Sequence, residues 1–251
     1  MHHIRALSRL IILSLNVVVA FIFWMLGHLI LWPFPEARRS WRRLAWRTWS
    51  RFVAWLFGMR IRVEGTPPRA PFCLVANHLS YMDAILVMSC APGVMVGKME
   101  VAAMPGIGWM ARQIGTIFID RSLNRDVVRV GELMAAELEK KEGLIFFPES
   151  TTSDGQLVLP FRAGLLAHAA ATDMPVHAAA IRYAADDFDV SKVVCWGDDT
   201  PLGSHIYRLA GQRKFQATIQ FGAKPIMDTD RKTLASRLQE QVETMYFGVR
   251  P

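Results

Sequence analysis

The 251-residue sequence predicts an α/β domain, a sheet flanked by helices, behind an N-terminal membrane-associated helical segment. Three observations point that way. From Val63 onward, short runs rich in β-branched and aromatic residues alternate with amphipathic helical stretches, as they do when helices cover a sheet. Leu10 to Pro35 contains no Asp, Glu, Lys or Arg, and is longer than the ~20 apolar residues that cross a hydrocarbon core. Charge is also divided: residues 1–62 carry ten Arg, no Lys and a single acid, Glu36, for +9, whereas residues 63–251 carry −2. The chain therefore divides into a membrane-associated segment, 1–62, and one domain, 63–251.

The chain opens on MHHIRALSRL, basic and then apolar, which a signal peptide also matches. No small-residue cleavage site follows, and Trp24, His28 and Trp32 crowd the far end, so an uncleaved membrane segment is expected. A spanning helix and a re-entrant pair lying in one leaflet both remain open; Arg5 and Arg9 lean toward the pair. Next comes EARRSWRRLAWRTWSRFVAWLFGMRIRV, with Trp41, Leu44, Ala45, Trp49, Phe52 and Leu56 along one stripe between Arg38, Arg39, Arg42, Arg43, Arg47 and Arg51. Such a helix suits an anionic bilayer surface, where each Arg adds about 1 kcal/mol. Arg and Trp also mark nucleic-acid binders, but the adjacent apolar run makes a membrane the expected partner and nucleic acid not. The positive-inside tendency then places the domain on the cytoplasmic face of the membrane.

After the turn EGTPPRAP, strands are expected at Phe72–Ala76, Val94–Gly97, Thr116–Asp120, Leu144–Phe147, Val176–Arg182, Val193–Trp196 and Phe215–Phe221. One helix is capped by Asn124, carries Val127, Val130, Met134 and Leu138 inward, and ends at Gly143. The last is capped by Asp230, with Leu234, Leu238, Val242 and Met245 inward. Cys73, Cys90 and Cys195 are odd in number and widely spaced in apolar settings, so reduced, packed thiols are expected.

Polar islands follow four of these strands. In NHLSYMD, His78 and Asp83 are five residues apart and cannot share one face of a regular helix, so the chain must bend between them. Asp83 could then fix the His78 tautomer and leave its other nitrogen to take a proton; equally, His78 could flank a helix cap and Asp83 be an exposed first-turn acid. In GTIFIDRS, Arg121 could grip a phosphate or carboxylate, or pair with Asp120. In LIFFPESTTSDGQLVLPFRAG, Pro148 stops a strand before Glu149, Ser150 and Thr151, whose turn could hold an anion or simply reverse the chain. MPVHAAAIRY begins a strand after Pro175.

In this order the islands resemble the bacterial 1-acylglycerol-3-phosphate acyltransferase family. Asn77, His78, Ser80 and Asp83 match its N-H-x-S-x-x-D motif, Arg121 closes the second, Phe147 to Thr151 match F-P-E-G-T, and Met174, Pro175 and Val176 match V-P-V. Lys98 lies in a segment resembling the Lys-x-Glu stretch between the first two motifs. Ser150 departs from the family's Gly. Thr152 departs from an Arg that many lysophosphatidate enzymes carry, and TTSDGQLVLPFR looks more like a subgroup that includes lyso-ornithine lipid acyltransferases.

The resemblance implies transfer of a fatty acyl group from a thioester on acyl carrier protein or coenzyme A to a lysolipid hydroxyl. The expected acceptor is the sn-2 hydroxyl of 1-acylglycerol-3-phosphate, in phospholipid biosynthesis, with lyso-ornithine lipid the alternative. His78 and Asp83 are the catalytic pair it implies; Arg121, Glu149, Ser150, Thr151, Lys98 and Arg162 bind substrate; backbone donors at loop-to-helix turns hold the oxyanion. No cofactor beyond the thioester co-substrate and no metal are expected. A Ser hydrolase lacks its G-x-S-x-G elbow and a zinc hydrolase its H-E-x-x-H. A non-catalytic membrane-binding module explains the N-terminus but gives no reason for His78 and Asp83 at this spacing.

Overall fold

The computed structural model describes residues 2–104, 106–120, 124–197 and 200–248, with the side chains of Asn124 and Arg125 left aside. Two long helices come first, α1 (His2–Ile30) and α2 (Pro35–Leu56). Pro35 sits at the first helical position, where its missing N–H costs nothing. The rest follows as β1 (Met59–Glu64), β2 (Phe72–Ala76), α3 (Met82–Cys90), β3 (Val94–Lys98), α4 (Met99–Ala103), α5 (Ile107–Gln113), β4 (Ile117–Ile119), α6 (Asn124–Glu139), β5 (Gly143–Phe146), α7 (Ala167–Ala171), β6 (Val176–Ala184), α8 (Val190–Val193), α9 (Leu202–Ala210), β7 (Phe215–Phe221) and α10 (Arg231–Phe247).

The strands form one seven-stranded sheet in the order β1-β7-β6-β2-β5-β3-β4. Every neighbouring pair is parallel except β6 and β7. The pleat sends alternate residues to opposite faces. Leu74 and Ala76 pack with α2, α3 and α9 residues on one side, while Cys73 and Val75 pack with Val130 and Met134 of α6 and Leu234, Leu238 and Val242 of α10 on the other. Asp230 caps α10 as expected, accepting from the Thr233 N–H.

Three expectations change. β1 begins at Met59, so residues 59–62 belong to the sheet, paired in parallel with β7. Val193–Trp196 is not a strand: the Asp189 side chain accepts from the Ser191 N–H and starts α8 through Val193, after which the chain is irregular. Gly143 does not close a helix but opens β5; α6 ends at Glu139, and Lys141 takes the left-handed turn at φ 60°. The Asn124 cap lies outside the described side chains. Cys73, Cys90 and Cys195 are free thiols, two buried and Cys90 half-buried.

α1 and α2 fold back on each other as a hairpin. The Trp41 indole N–H donates to the Trp24 carbonyl at 3.1 Å, and Phe23 packs on the Trp41 ring. The open end of the hairpin rests on the domain. Arg5 donates to the Gly211 carbonyl, and Arg9 to those of Ala210 at the end of α9 and Arg213 beyond it. Most of the α1 surface is bare and apolar, Ile4, Leu15, Val19, Phe23 and Leu29 among it.

The α2 arginines are largely committed to protein. Arg42 and Arg43 pair with Glu142, which has no solvent exposure, at 3.2 and 3.0 Å. Arg47 and Arg51 both donate to the Ser89 carbonyl in the last turn of α3, where cations suit the helix dipole. Arg38 stacks on Trp32.

Candidate active site

The motif residues gather at the C-terminal ends of β2 and β5, the edge where open α/β sheets place their sites. β2 ends at Ala76, and α3 opens at Met82, which supplies the bend expected between His78 and Asp83. His78 Nδ1 meets Asp83 Oδ2 at 2.8 Å. The same oxygen accepts from the N–H groups of Leu79 and Ser80 at 2.7 and 2.8 Å, and Oδ1 accepts from the Tyr183 hydroxyl at 2.6 Å. Asp83 is wholly buried, so the exposed-acid alternative is gone. Its four donors replace the water that an ionised carboxylate gives up on burial.

The His78 ring lies flat on Phe147, and its side chain is 22% exposed. With Nδ1 committed to Asp83, Nε2 is the nitrogen left for chemistry; no described group bonds it. Asn77 is architectural. Its amide donates to the Ile181 carbonyl and accepts from the Ile181 N–H, pairing the motif to β6 as another strand residue would. Loops brace the turn from outside: Ser153 N–H donates to the His78 carbonyl and Trp196 N–H to that of Leu79.

Glu149, from the third motif, is buried and turned toward the turn rather than outward; its Oε1 accepts from the His78 N–H at 3.3 Å. Burial pushes its carboxyl up to about 8, with the His78 N–H opposing and Asp83 reinforcing the shift. The Leu159 N–H also opposes the shift, but among the described residues the buried Oε2 has no hydrogen-bond partner of ordinary geometry. Ser150 adopts φ 70°, a left-handed conformation that Gly takes without strain. Thr151 is half-buried beside it. Thr152 donates its hydroxyl to the Trp196 carbonyl.

Lys98 closes β3, two strands from β2 and so roughly 10 Å along the same edge. Arg162 is exposed, and its backbone N–H ties back to the Pro148 carbonyl. Arg121 lies outside the described residues. The structure thus brings His78, Asp83 and Glu149 together and sets Lys98 further along the edge.

At the first turn the N–H groups of His78, Leu79, Ser80, Met82 and Asp83 are engaged within the motif or by Glu149. Two residues of this site went unseen in the sequence. Tyr183 gives no local signal, since only the β6 register brings it to Asp83. His205, buried between the Tyr81 hydroxyl and the Cys195 carbonyl, looks in sequence like any scattered histidine.

Residues 60–182 match the family model described as Acyltransferase. A lyso-ornithine lipid O-acyltransferase from Pseudomonas aeruginosa is 34% identical over 203 residues, covering 80% of this chain and 78% of that one. The chain belongs to the acyltransferase family. This acyltransferase is also 27% identical over 174 residues to a 1-acyl-sn-glycerol-3-phosphate acyltransferase of Neisseria gonorrhoeae, 68% of each chain. Its fold is that of the crystallised 1-acyl-sn-glycerophosphate (LPA) acyltransferase of Thermotoga maritima, with a TM-score of 0.68 at 22% identity over 98% of this chain and 97% of that one. It is therefore an acyltransferase of the lysophospholipid type, a chemistry that calls for a lysolipid acceptor and an acyl thioester donor.

Proposed function

We propose that His78 is the general base of an O-acyl transfer from an acyl carrier protein or coenzyme A thioester to a lysolipid hydroxyl. The 2.8 Å contact between His78 Nδ1 and Asp83 Oδ2 carries this reading, because it fixes the tautomer that leaves Nε2 basic. As the acceptor oxygen attacks the thioester carbonyl carbon, its proton passes to Nε2 and Asp83 balances the imidazolium. The tetrahedral intermediate then collapses, the C–S bond breaks, and the departing thiolate takes that proton. No covalent enzyme intermediate is needed.

Lyso-ornithine lipid is the acceptor we favour. Thr152 is neutral where many lysophosphatidate enzymes carry Arg, and its hydroxyl is turned inward to Trp196, so this position offers no cation to a phosphomonoester. An ornithine head, itself both cation and anion, asks less of the site. Lysophosphatidate is the second reading, favoured by Lys98 on the site edge and by the Neisseria relative. The test is a purified-enzyme assay with labelled acyl carrier thioester against both acceptors side by side, with His78→Ala as control. Turnover several-fold higher on lyso-ornithine lipid is expected; preference for lysophosphatidate reverses the acceptor assignment, and an active His78→Ala removes the base.

We also infer that the enzyme works from the cytoplasmic face, with the α1–α2 hairpin lying in one leaflet. Arg5 and Arg9 keep the start of α1 on the domain that α2 also rejoins, and a helix crossing the bilayer would leave them apart. Tags at the two termini should therefore both be protected from protease in spheroplasts. Cleavage of the N-terminal tag alone would make α1 a span.

A further inference from the structure

Asp83 is held on both oxygens, and the two sets of donors have different origins. Oδ2 is held locally, by His78 Nδ1 and the N–H groups of Leu79 and Ser80. Oδ1 is held by a single group 100 residues away, the Tyr183 hydroxyl, at 2.6 Å. Tyr183 is two residues beyond Ile181 on β6, and residues i and i+2 of a strand point to one face. Ile181 is in turn the residue that Asn77 clasps through both its N–H and its carbonyl. The Asn77 clasp therefore continues the β2–β6 ladder in the register that delivers Tyr183 to Asp83. Edge contact between the Tyr183 and Phe215 rings, with centroids 5.9 Å apart, steadies it from β7.

We propose that Tyr183 is a positioning residue of the transfer step: its hydroxyl, registered by the Asn77–Ile181 clasp, holds the second oxygen of Asp83 and so sets the negative charge that His78 feels. The proposal rests on His78 being the base. A donor on Oδ1 draws charge away from Oδ2 and lowers the carboxylate's hold on the imidazole proton. Without it Asp83 becomes more basic, the imidazolium is favoured, and His78 gives up its proton only at higher pH. A buried Oδ1 with no donor would also pull the side chain toward other partners. Burial beside the Asp83 carboxylate keeps the Tyr183 phenol protonated, well above its usual range, so it remains a donor across the working pH range.

Two substitutions at residue 183 in the full-length enzyme test this by moving the hydrogen bond in opposite directions. Tyr183→Phe removes the donor; a ring-fluorinated tyrosine at the same position, introduced through an expanded code, strengthens it. The readout is the acidic limb of kcat/KM against pH, compared among proteins that all keep Glu149, whose carboxyl is raised to about 8 against the His78 N–H and titrates in the same range, so a difference between limbs belongs to residue 183. Phe should move the limb to higher pH by roughly half a unit or more, and fluorotyrosine should move it to lower pH. Turnover of the Phe variant should fall by about tenfold. Limbs that superimpose on wild type, or move the same way, overturn the proposal whatever happens to turnover. If the Phe variant does not fold, the fluorotyrosine limb decides alone, and an unmoved limb overturns it. His78→Ala assayed in parallel separates the two readings: activity there removes the base itself, whereas an inactive His78→Ala beside unmoved limbs removes only Tyr183.

Discussion

The imidazole of His78 lies on the phenyl ring of Phe147, with centroids 4.1 Å apart and planes within 6° of parallel. Two of the four motifs thus meet face to face, and the stack fixes the ring plane that the Asp83 contact alone leaves free to tilt. Phe147→Leu keeps an apolar side chain there but loses the flat face. We expect kcat to fall about tenfold with KM nearly unchanged, because orientation at the reacting proton is what is lost. A raised KM at unchanged kcat would assign Phe147 to substrate binding instead.

Glu149 makes stability depend on pH in an unusual direction. Its folded carboxyl is raised from 4.5 to about 8, so between those values the folded chain holds a proton that the unfolded chain has released. Stability should therefore decline as pH rises through that window. Glu149→Gln replaces the neutral acid with a neutral amide and should flatten the trend. Melting temperatures of both proteins from pH 5 to pH 8 check it, and parallel slopes would refute it.

Ser150 carries a side chain through φ 70°, where L-residues are strained. Its hydroxyl recovers a 3.3 Å contact with the Pro148 carbonyl. Ser150→Gly should still be net stabilising, by about 0.5–1 kcal/mol, since a left-handed backbone costs Gly little. For a chain of this size that is a rise in Tm of roughly 1–4 °C, read by calorimetry.

Glu142 is wholly buried against Arg42 and Arg43, and among the described residues its Oε2 has no hydrogen-bond partner. Replacing both arginines with Ala strands a buried charge, and a loss of about 3–5 kcal/mol is expected. Adding Glu142→Gln to that variant should restore much of it. Arg38→Gln with Arg39→Gln, which gives up the Arg38 stack on Trp32, should cost about 1 kcal/mol or less. Chemical denaturation of the three variants distinguishes them.

Much of this fold was legible because its periodicities are strong. β2 and β7 run between the residues their apolar patterns mark, and the inward stripes of α6 and α10 are buried as the 3.6-residue repeat requires. Where local and tertiary signals disagree, the sequence misleads. β1, MRIRVE, alternates Arg with apolar residues because it is a sheet edge, and it reads as the end of a basic helix. The β-branched run before Trp196 looks extended, but the Asp189 cap starts a helical turn through it. In the site, His78 and Asp83 are visible as a spaced pair, whereas the inward orientation of Glu149 and Thr152 depends on partners far along the chain. Most of the α2 arginines likewise read as lipid ligands, yet four of the six are held by Glu142 and Ser89, which nothing in their own segment announces.

Arg9 joins the beginning of the chain to carbonyls some 200 residues later, at Ala210 and Arg213. During synthesis α1 leaves the ribosome long before its dock exists. In that interval its apolar face has no partner in the sheet domain. The last fifth of the translated chain therefore closes the clasp on a helix that was made first.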